Sequence, residues 1–238
     1  MKKIFAIAQK ELSVYFRSPI AYVVLIVTIV IFNVFFFAII DNNEEATLRD
    51  IFKVMEFLFV FIIPILTMKV FSEEKQMGTM EFLMTTPTQN NEIVLGKYLG
   101  VLLFFSFLII LTIPYYGIIE FFSRPDRMAI LTGYIGIWLE GAFFISIGLM
   151  VSSWTKSQIV AAILSYLFLF LVYFSSLADK YTNGVVKAIV KYSNVMTHSE
   201  NFIVGILSSS DLIYFFSGIL FCLVMTRISI DTKIWDNV

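Results

Sequence analysis

The sequence predicts an all-α integral membrane protein. Of its 238 residues, 59% are hydrophobic and 15% are charged, and the mean hydropathy is +0.87. A soluble domain of this size is about 45–50% apolar and about 25% charged, so the apolar excess is more than a soluble core can bury. Several uncharged runs also reach the length of about 20 residues that a helix needs to cross a bilayer. They lack the alternating pattern of a membrane β-barrel.

Six apolar runs predict six transmembrane helices. They cover approximately residues 19–40, 51–71, 98–119, 128–151, 157–178 and 212–226. Lys53, Glu56 and Lys69 leave the second run with a short charge-free centre, which a tilted or buried helix accommodates. With six spans, both termini lie on the same side of the membrane.

The distribution of lysine and arginine predicts that both termini are cytoplasmic. These residues are more numerous on the side of the termini, and the bias is strongest around the first span. By the positive-inside rule, residues 72–96 and 152–156 are then cytoplasmic, and residues 179–210 form the longest external connection. The chain is therefore expected to be a multi-pass protein of the inner (cytoplasmic) membrane.

Three segments outside the spans carry further structural predictions. Residues 2–17 place apolar side chains at helical spacing, with basic ones largely off that stripe, which is typical of an amphipathic helix in the cytoplasmic interface. Residues 72–86 are polar and predict a short helix that ends before Pro87. Residues 205–207 are apolar enough to dip into the membrane before the last span. No internal repeat divides the sequence, so residues 1–238 are expected to form one domain.

The sequence excludes several kinds of chemistry. It has no G-x-x-x-x-G-K-[ST] motif and therefore does not hydrolyse ATP through a P-loop. One cysteine, Cys222, and one histidine, His198, allow neither an intramolecular disulfide nor a histidine-pair metal motif. A net charge of −1 provides no basic field for nucleic acid. We predict no catalytic residue, no metal site and no cofactor on this chain, and a solvated or loop-bracing role for His198.

Glu140 is the single acidic residue near the middle of a span. A charge there costs roughly 2.5–3.5 kcal/mol on insertion scales, so the side chain is expected to face protein or water instead of lipid. Two interpretations stay open. Glu140 is either a pathway or gating residue, or a structural partner for a neighbouring helix, including a helix across a dimer seam.

The predicted cytoplasmic helix combines an apolar face with charged positions. The apolar residues are Met77, Met80, Leu83 and Met84, and the charged ones are Glu73, Glu74, Lys75 and Glu81. An apolar face outside the membrane needs a partner to cover it. Gly78 would allow another backbone to approach closely. We therefore predict that this segment docks on a separate subunit.

Residues 72–100, SEEKQMGTMEFLMTTPTQNNEIVLGKYLG, resemble the type-2 ATP-binding-cassette (ABC) transporter permeases. In those proteins the loop after the second span reads E-[EK]-x-x-G-T-[LIM]-E-x-L-L-x-x-P, followed by E-I-[VL]-x-G-K. The matching positions are Glu74, Gly78, Thr79, Glu81, Leu83, Pro87, Glu92, Gly96 and Lys97. Residues 148–162 and 10–19 resemble the junction of spans four and five and the start of the first span. Within the family, the chain is most similar to the gliding-motility type, through residues 48–52 and 198–205.

The resemblance implies a permease subunit and its partners. It implies a connecting helix at residues 2–17, a coupling helix at residues 72–86 and a re-entrant segment before the sixth span. Two permeases, identical or related, would dock on two ATPase subunits that bind ATP and Mg, and transport would be export. The residues implied in ATPase coupling are Glu73, Glu74, Gly78, Thr79, Met80, Glu81, Leu83 and Met84. Glu140 departs from the family pattern, in which an apolar residue is usual.

Two alternative functions remain open from the sequence. The first is a secondary transporter that uses Glu140 as a proton or ion site, although the six runs show no inverted repeat. The second is a scaffold subunit of an ABC-like complex that moves no solute. ATP-dependent transport would distinguish a permease from a scaffold.

Overall fold

The structure, a computed structural model, describes residues 2–42, 47–80, 88–122, 125–175 and 192–235. Within these ranges it is helical and contains no β-strand. The helices, numbered in chain order, are α1 Lys2–Arg17, α2 Pro19–Asn42, α3 Arg49–Thr67, α4 Lys69–Gln76, α5 Asn90–Ile110, α6 Pro114–Phe122, α7 Arg127–Ser152, α8 Gln158–Tyr173, α9 Val195–Val204 and α10 Ser209–Trp235. Because a helix satisfies its own backbone hydrogen bonds, it suits a lipid environment.

Among the described residues, five segments are long and apolar enough to cross a membrane. They are Pro19–Asp41, Arg49–Gln76, Asn90–Phe121, Arg127–Ser152 and Ser209–Thr232. The prediction of an all-α membrane protein is thereby confirmed. The remaining predicted span, 157–178, corresponds to α8, an apolar helix of 16 residues. Part of that span lies outside the described ranges, so the sixth crossing stays a prediction.

Two of the spanning segments are each made of two successive helices. Met68 separates α3 from α4, four residues after Pro64, which lies inside α3. The segment 111–113 separates α5 from α6, and Pro114 is the first residue of α6. Proline is well accommodated at that position because the first turn of a helix has no use for its missing N–H. The breaks allow each segment to change direction within the bundle.

Helix α7 lies at the centre of the bundle, and 89% of the residues in its most apolar stretch are buried. Its glycines allow neighbouring helices to pack against its backbone. A Cβ atom at Gly136 would lie 2.5 Å from Phe202 of α9, and one at Gly141 would lie 2.0 Å from Phe105 of α5. Small residues are the usual means of close packing between membrane helices. Glu140 therefore occupies one of the most tightly packed parts of the molecule.

The N-terminal helix α1 packs along the first half of α5. Gly96 and Gly100 are one helical turn apart on α5, and a Cβ atom at either would come within 2.6 Å of Ile7 or Glu11 on α1. The bounds of α1 are those predicted from the sequence. Its position in a membrane interface stays a prediction. This packing brings Glu11 onto the polar residues at the start of α5.

The loops predicted to share a membrane side also lie together in the structure. At one end of the bundle, the Ser152 hydroxyl at the end of α7 donates to the Met68 carbonyl. At the other end, Gly205 after α9 lies against Ala129 at the start of α7. The two groups match the predicted cytoplasmic and external groups, and the assignment of each end to a compartment stays a prediction. Gly205, at φ 102°, ends α9 in the left-handed region that favours glycine.

Candidate functional site

The predicted coupling segment is described from Ser72 to Met80, and its helix is interrupted where the sequence predicts continuity, since Met77 and Gly78 form a turn before the helical residues Thr79 and Met80. Helix α4 ends at Gln76, and Gly78 follows with a φ of 70°. A left-handed glycine after the last turn is a common helix stop, because residues with a Cβ are disfavoured there. The prediction of one continuous helix over residues 72–86 is therefore wrong at Gly78. The glycine ends α4. A Cβ atom added to it would have no atom of another described residue within 4 Å, apart from its neighbours in the chain.

The two described methionines of the predicted docking face have opposite environments. Met77 is 68% exposed, whereas Met80 is 5% exposed and packs in the hydrophobic core of its own chain. They do not form one exposed face in this conformation. Thr79 is exposed, and its hydroxyl donates to the Glu74 carbonyl at 3.3 Å. Three other predicted coupling residues, Glu81, Leu83 and Met84, lie outside the described ranges.

A buried ion-pair cluster lies directly beside this segment. The Lys97 ammonium on α5 is 2.8 Å from Glu11 Oε1 on α1 and 2.8 Å from Glu74 Oε1 on α4. It also donates to the Val70 carbonyl at 3.0 Å. Lys97 is 1% exposed, and these three acceptors match the three donors of an ammonium group. The cluster joins α1, α4 and α5 through one cation, because a buried charge is tolerated only when it is paired.

One exposed cation, Lys10, lies beside the cluster. The Lys10 ammonium lies 3.5 Å from Glu74 Oε1 and 3.8 Å from Glu11 Oε1. Its side chain is largely exposed, so water and salt weaken these contacts. Beside Lys10, a cavity of about 190 Å³ lies between α1 and α4, and its walls include Glu73 and Met77. The cavity offers charges of both signs next to the exposed methionine.

Tyr15 ties the end of α1 to the end of α3. Its hydroxyl donates to the Leu66 carbonyl at 2.7 Å, and its ring stacks on Phe104 of α5 at a centroid distance of 4.9 Å. The Lys69 ammonium lies 4.8 Å above the same ring. Burial raises the pKa of Tyr15 above its usual range, so the hydroxyl stays a neutral donor. Tyr15 thus attaches α1 to the end of α3, and Lys97 attaches it to α4, on the two sides of Met68.

The end of α7 closes the site from the opposite side. The Ser152 hydroxyl accepts from the backbone N–H groups of Phe71 and Ser72 at 3.1 and 3.2 Å. Lys75 contacts the Ser153 carbonyl, which also accepts from the Ser229 hydroxyl of α10 at 3.1 Å. Because α4 follows the helix break at Met68, its first N–H groups depend on such side-chain acceptors. Four elements, α1, α5, α7 and α10, thus hold helix α4, from which the coupling segment continues.

Glu140 lies far from this cluster, inside the bundle. Its side chain is fully buried by helices of its own chain, and the carboxyl group that interacts with it belongs to Glu56 of α3. The single chain therefore does not present Glu140 on a dimer seam or in an open cavity. A role in a substrate pathway or seam would require the bundle to open, and it stays a prediction.

The sequence profile of the ABC-2 family transporter proteins matches residues 5–230. The chain belongs to this family. The match covers nearly all of the sequence, which identifies a multi-pass membrane permease subunit of an ABC transporter. A comparison with curated proteins found no significant match.

In this ABC-2 permease, the single histidine braces the packing of α9 on α10. His198 Nδ1 is 2.6 Å from Asp211 Oδ1, and Nε2 donates to the Tyr192 carbonyl at 3.0 Å. The Asn201 amide donates to the second Asp211 oxygen at 2.8 Å. The ring also stacks on Tyr214. Of the solvated and loop-bracing roles that the sequence allows for His198, these contacts fit the bracing role.

Sequence reasoning missed the partners of the permease's buried charges. Lys97 and Glu74 were recognised as motif positions and Glu11 lies in the third matching stretch, but nothing in the sequence paired them. Glu56 was noted only as an interruption of an apolar run. A charged residue inside an apolar run predicts a polar partner on another helix, because a charge buried among apolar neighbours needs one.

Proposed function

We propose that this permease exports its substrate, driven by ATP hydrolysis on a separate nucleotide-binding subunit that holds ATP and Mg. The ion-pair cluster of Glu11, Lys97 and Glu74 carries the proposal. A force applied to the segment after α4 reaches α1 and α5 through this cluster, because the carboxylates of Glu11 and Glu74 share the buried Lys97 cation. ATP then shifts the membrane helices to the extent that the ATPase binds one of their conformations more tightly.

The docking segment of the proposal runs from Glu73 to Met84. Met77 is its exposed apolar contact, and the cavity beside Glu73 and Lys10 receives a polar side chain of the partner. Met80 packs in the hydrophobic core of the permease, so in the described part it anchors the segment instead of contacting the partner. Glu81 and Leu83 belong to the proposal through the motif alone, and Met84 belongs to it through the apolar spacing of the sequence.

The complete complex would contain two permeases and two ATPase subunits. The second permease is either a copy of this chain or a related permease, and this chain itself is of the gliding-motility type, as the motif resemblance suggests. Both termini and the ion-pair cluster would face the cytoplasm, where ATP is available. The exposed apolar side chains of α2, including Val23, Val27 and Val34, would meet lipid or the second permease.

The docking role is tested by a pair of matched substitutions. Met77→Glu places a charge on the proposed contact, and Met128→Glu places the same charge at the opposite end of the bundle, where Met128 is 72% exposed. Met77→Glu should reduce recovery of the ATPase with the purified permease by about tenfold, corresponding to about 1.4 kcal/mol. Met128→Glu should leave recovery unchanged. Equal recovery with both variants would contradict docking at Met77.

ATP-dependent movement of solute into inside-out or reconstituted vesicles, which corresponds to efflux from the cell, separates the permease from a scaffold. The assay compares cells or vesicles that contain wild-type protein with ones that contain Met77→Glu, and it measures accumulated solutes. A permease yields a solute whose efflux requires both ATP and Met77. ATPase binding without any ATP-dependent solute movement would favour the scaffold.

A further inference from the structure

Two carboxyl groups meet inside the membrane-spanning bundle. Glu56 of α3 and Glu140 of α7 are 3% and 0% exposed. The two helices pack against each other from Phe52 beside Gly133 to Thr67 beside Gly148, and this register brings both glutamates onto one interface, where their carboxyl groups lie close enough to affect each other. Helix α9 contacts both α3 and α7. The pair therefore lies where α3, α7 and α9 come together, away from the ion-pair cluster of the proposed coupling site.

The hydrogen-bonding inventory of this pair is incomplete. Both oxygens of Glu140 and Oε1 of Glu56 are buried without a hydrogen-bond donor in the described part of the chain. A carboxylate can only accept hydrogen bonds, so two ionised carboxylates cannot satisfy each other. A protonated carboxyl group donates one hydrogen bond, and the contact between Glu56 and Glu140 then becomes favourable. The arrangement thus requires one proton between the two carboxyl groups.

Within the described ranges, the charged groups around the pair do not replace this proton. Lys53 and Glu200 exert opposite effects on Glu56, and Lys53 is exposed and lies 3.7 Å from Asp50. From α8 and α10, the groups that face the pair are the phenols of Tyr173 and Tyr214. Two like charges held together in a buried site cannot both ionise readily.

We propose that Glu56 and Glu140 form a proton-binding site that holds one shared proton while α3, α7 and α9 are packed together. The ligand is a proton and not a metal ion. Metal cations of the calcium class take six or more oxygen ligands, and the described residues contain no group of three acidic, histidine or cysteine side chains that could hold one.

The proton links the packing of the bundle to pH. The packed bundle binds the proton, whereas a conformation that opens between α3 and α7 admits water to both carboxylates and releases it. Rising pH therefore withdraws stability from the packed conformation, because the state that binds more protons is favoured at lower pH. The pair would make opening of the bundle sensitive to proton concentration, independently of which ATPase drives it.

Infrared spectroscopy of the purified full-length protein in lipid nanodiscs tests the site directly. The wild type should show the carbonyl band of a protonated carboxylic acid at neutral pH, and the band should shift on labelling with ¹³C-glutamate. Glu140→Gln and Glu56→Gln should each abolish it, since the amide supplies the missing donor in place of the proton. Glu120→Gln is the matched control because Glu120 is paired with Arg127 outside the bundle core, and it should leave the band unchanged.

A second measurement follows thermal unfolding of the same samples from neutral to alkaline pH. The unfolding temperature of the wild type should fall more steeply with pH than that of Glu140→Gln. The proposal is overturned if the wild type shows no protonated band, or if the band survives in both glutamine variants. It is also overturned if sodium or potassium removes the band at constant pH, because an alkali cation would then occupy the site. Should one variant fail to fold, the labelled wild-type spectrum and the other variant decide the matter.

Discussion

Replacing Lys97 by methionine removes the cation on which three helices converge. Methionine keeps most of the aliphatic stem, so little cavity is created, but the ammonium that lies 5.4 Å from the centre of the Phe71 ring is lost. Glu11 and Glu74 lose their contacts at 2.8 Å, and the Val70 carbonyl loses its donor at 3.0 Å. What remains is a pair of carboxylates with one exposed cation nearby.

The cost of Lys97→Met follows from this geometry. Leaving a buried ion without its partner costs about 3–5 kcal/mol. Lys10 still lies 3.5 Å from Glu74 and 3.8 Å from Glu11, which offsets part of the loss, so we expect about 3 kcal/mol. Lys10→Met is the matched control, and it should cost only about 0–1 kcal/mol because its contacts are solvent-exposed.

Unfolding in mixed micelles by a denaturing detergent, followed by circular dichroism, measures both free energies. A double-substitution cycle of Lys97→Met with Glu11→Gln should give a combined loss smaller than the sum of the single losses, since neutral glutamine no longer needs the cation. A loss below about 1 kcal/mol for Lys97→Met, or an equal loss for Lys10→Met, would refute the reasoning from buried pairing.

Three further substitutions test the packing around the site. Gly141→Ala should destabilise the bundle by about 1–3 kcal/mol through overpacking, as its Cβ would meet a phenylalanine ring at 2.0 Å; Gly117→Ala, in open space, should cost nothing in the same detergent titration. Ser152→Ala should cost about 1–3 kcal/mol because two backbone donors lose their acceptor, and it should lower ATP-stimulated transport, which unaltered transport would contradict. His198→Ala should cost about 1.5–3 kcal/mol by depriving buried Asp211 of a charged hydrogen bond, and hydrogen exchange should show faster opening of α9, whereas unchanged exchange would argue against a brace.

Hydropathy predicted the existence of the helices better than their ends. The third apolar run begins near residue 98, whereas α5 begins at Asn90. A polar first turn, capped by reciprocal contacts between Gln89 and Glu92, extends the helix beyond its apolar part. An apolar run predicts the part of a helix that lies in lipid. It does not predict the helix ends, because a helix can continue into the polar region.

Gly78 shows how a correct motif led to an incorrect local structure. The spacing of Met77, Met80 and the later apolar residues fits one helix, and a single glycine inside it costs only about 1 kcal/mol. The structure instead uses the glycine to end α4 in the left-handed region. Sequence alone allows either role, because the choice depends on what the next residues contact.

The pairing of charges was beyond the reach of a single sequence. Glu56 and Glu140 lie 84 positions apart on different spans, and each looks like an isolated exception to an apolar run. Lys97 carries a motif position, but its burial between Glu11 and Glu74 arises from the close packing of α1 on Gly96 and Gly100. Such partners are determined by helix arrangement, which local pattern does not encode.

The distance along the chain between Glu11 and Lys97 has a consequence for biosynthesis. The two residues are 86 positions apart, so α1 leaves the ribosome while its cation is still to be translated. Glu11 must wait in a hydrated environment until α2, α3 and the start of α5 have been inserted. Pairing of Glu11 is therefore one of the later events in assembly, and a chain truncated before Lys97 would leave this carboxylate without its cation even where Tyr15 contacts Leu66.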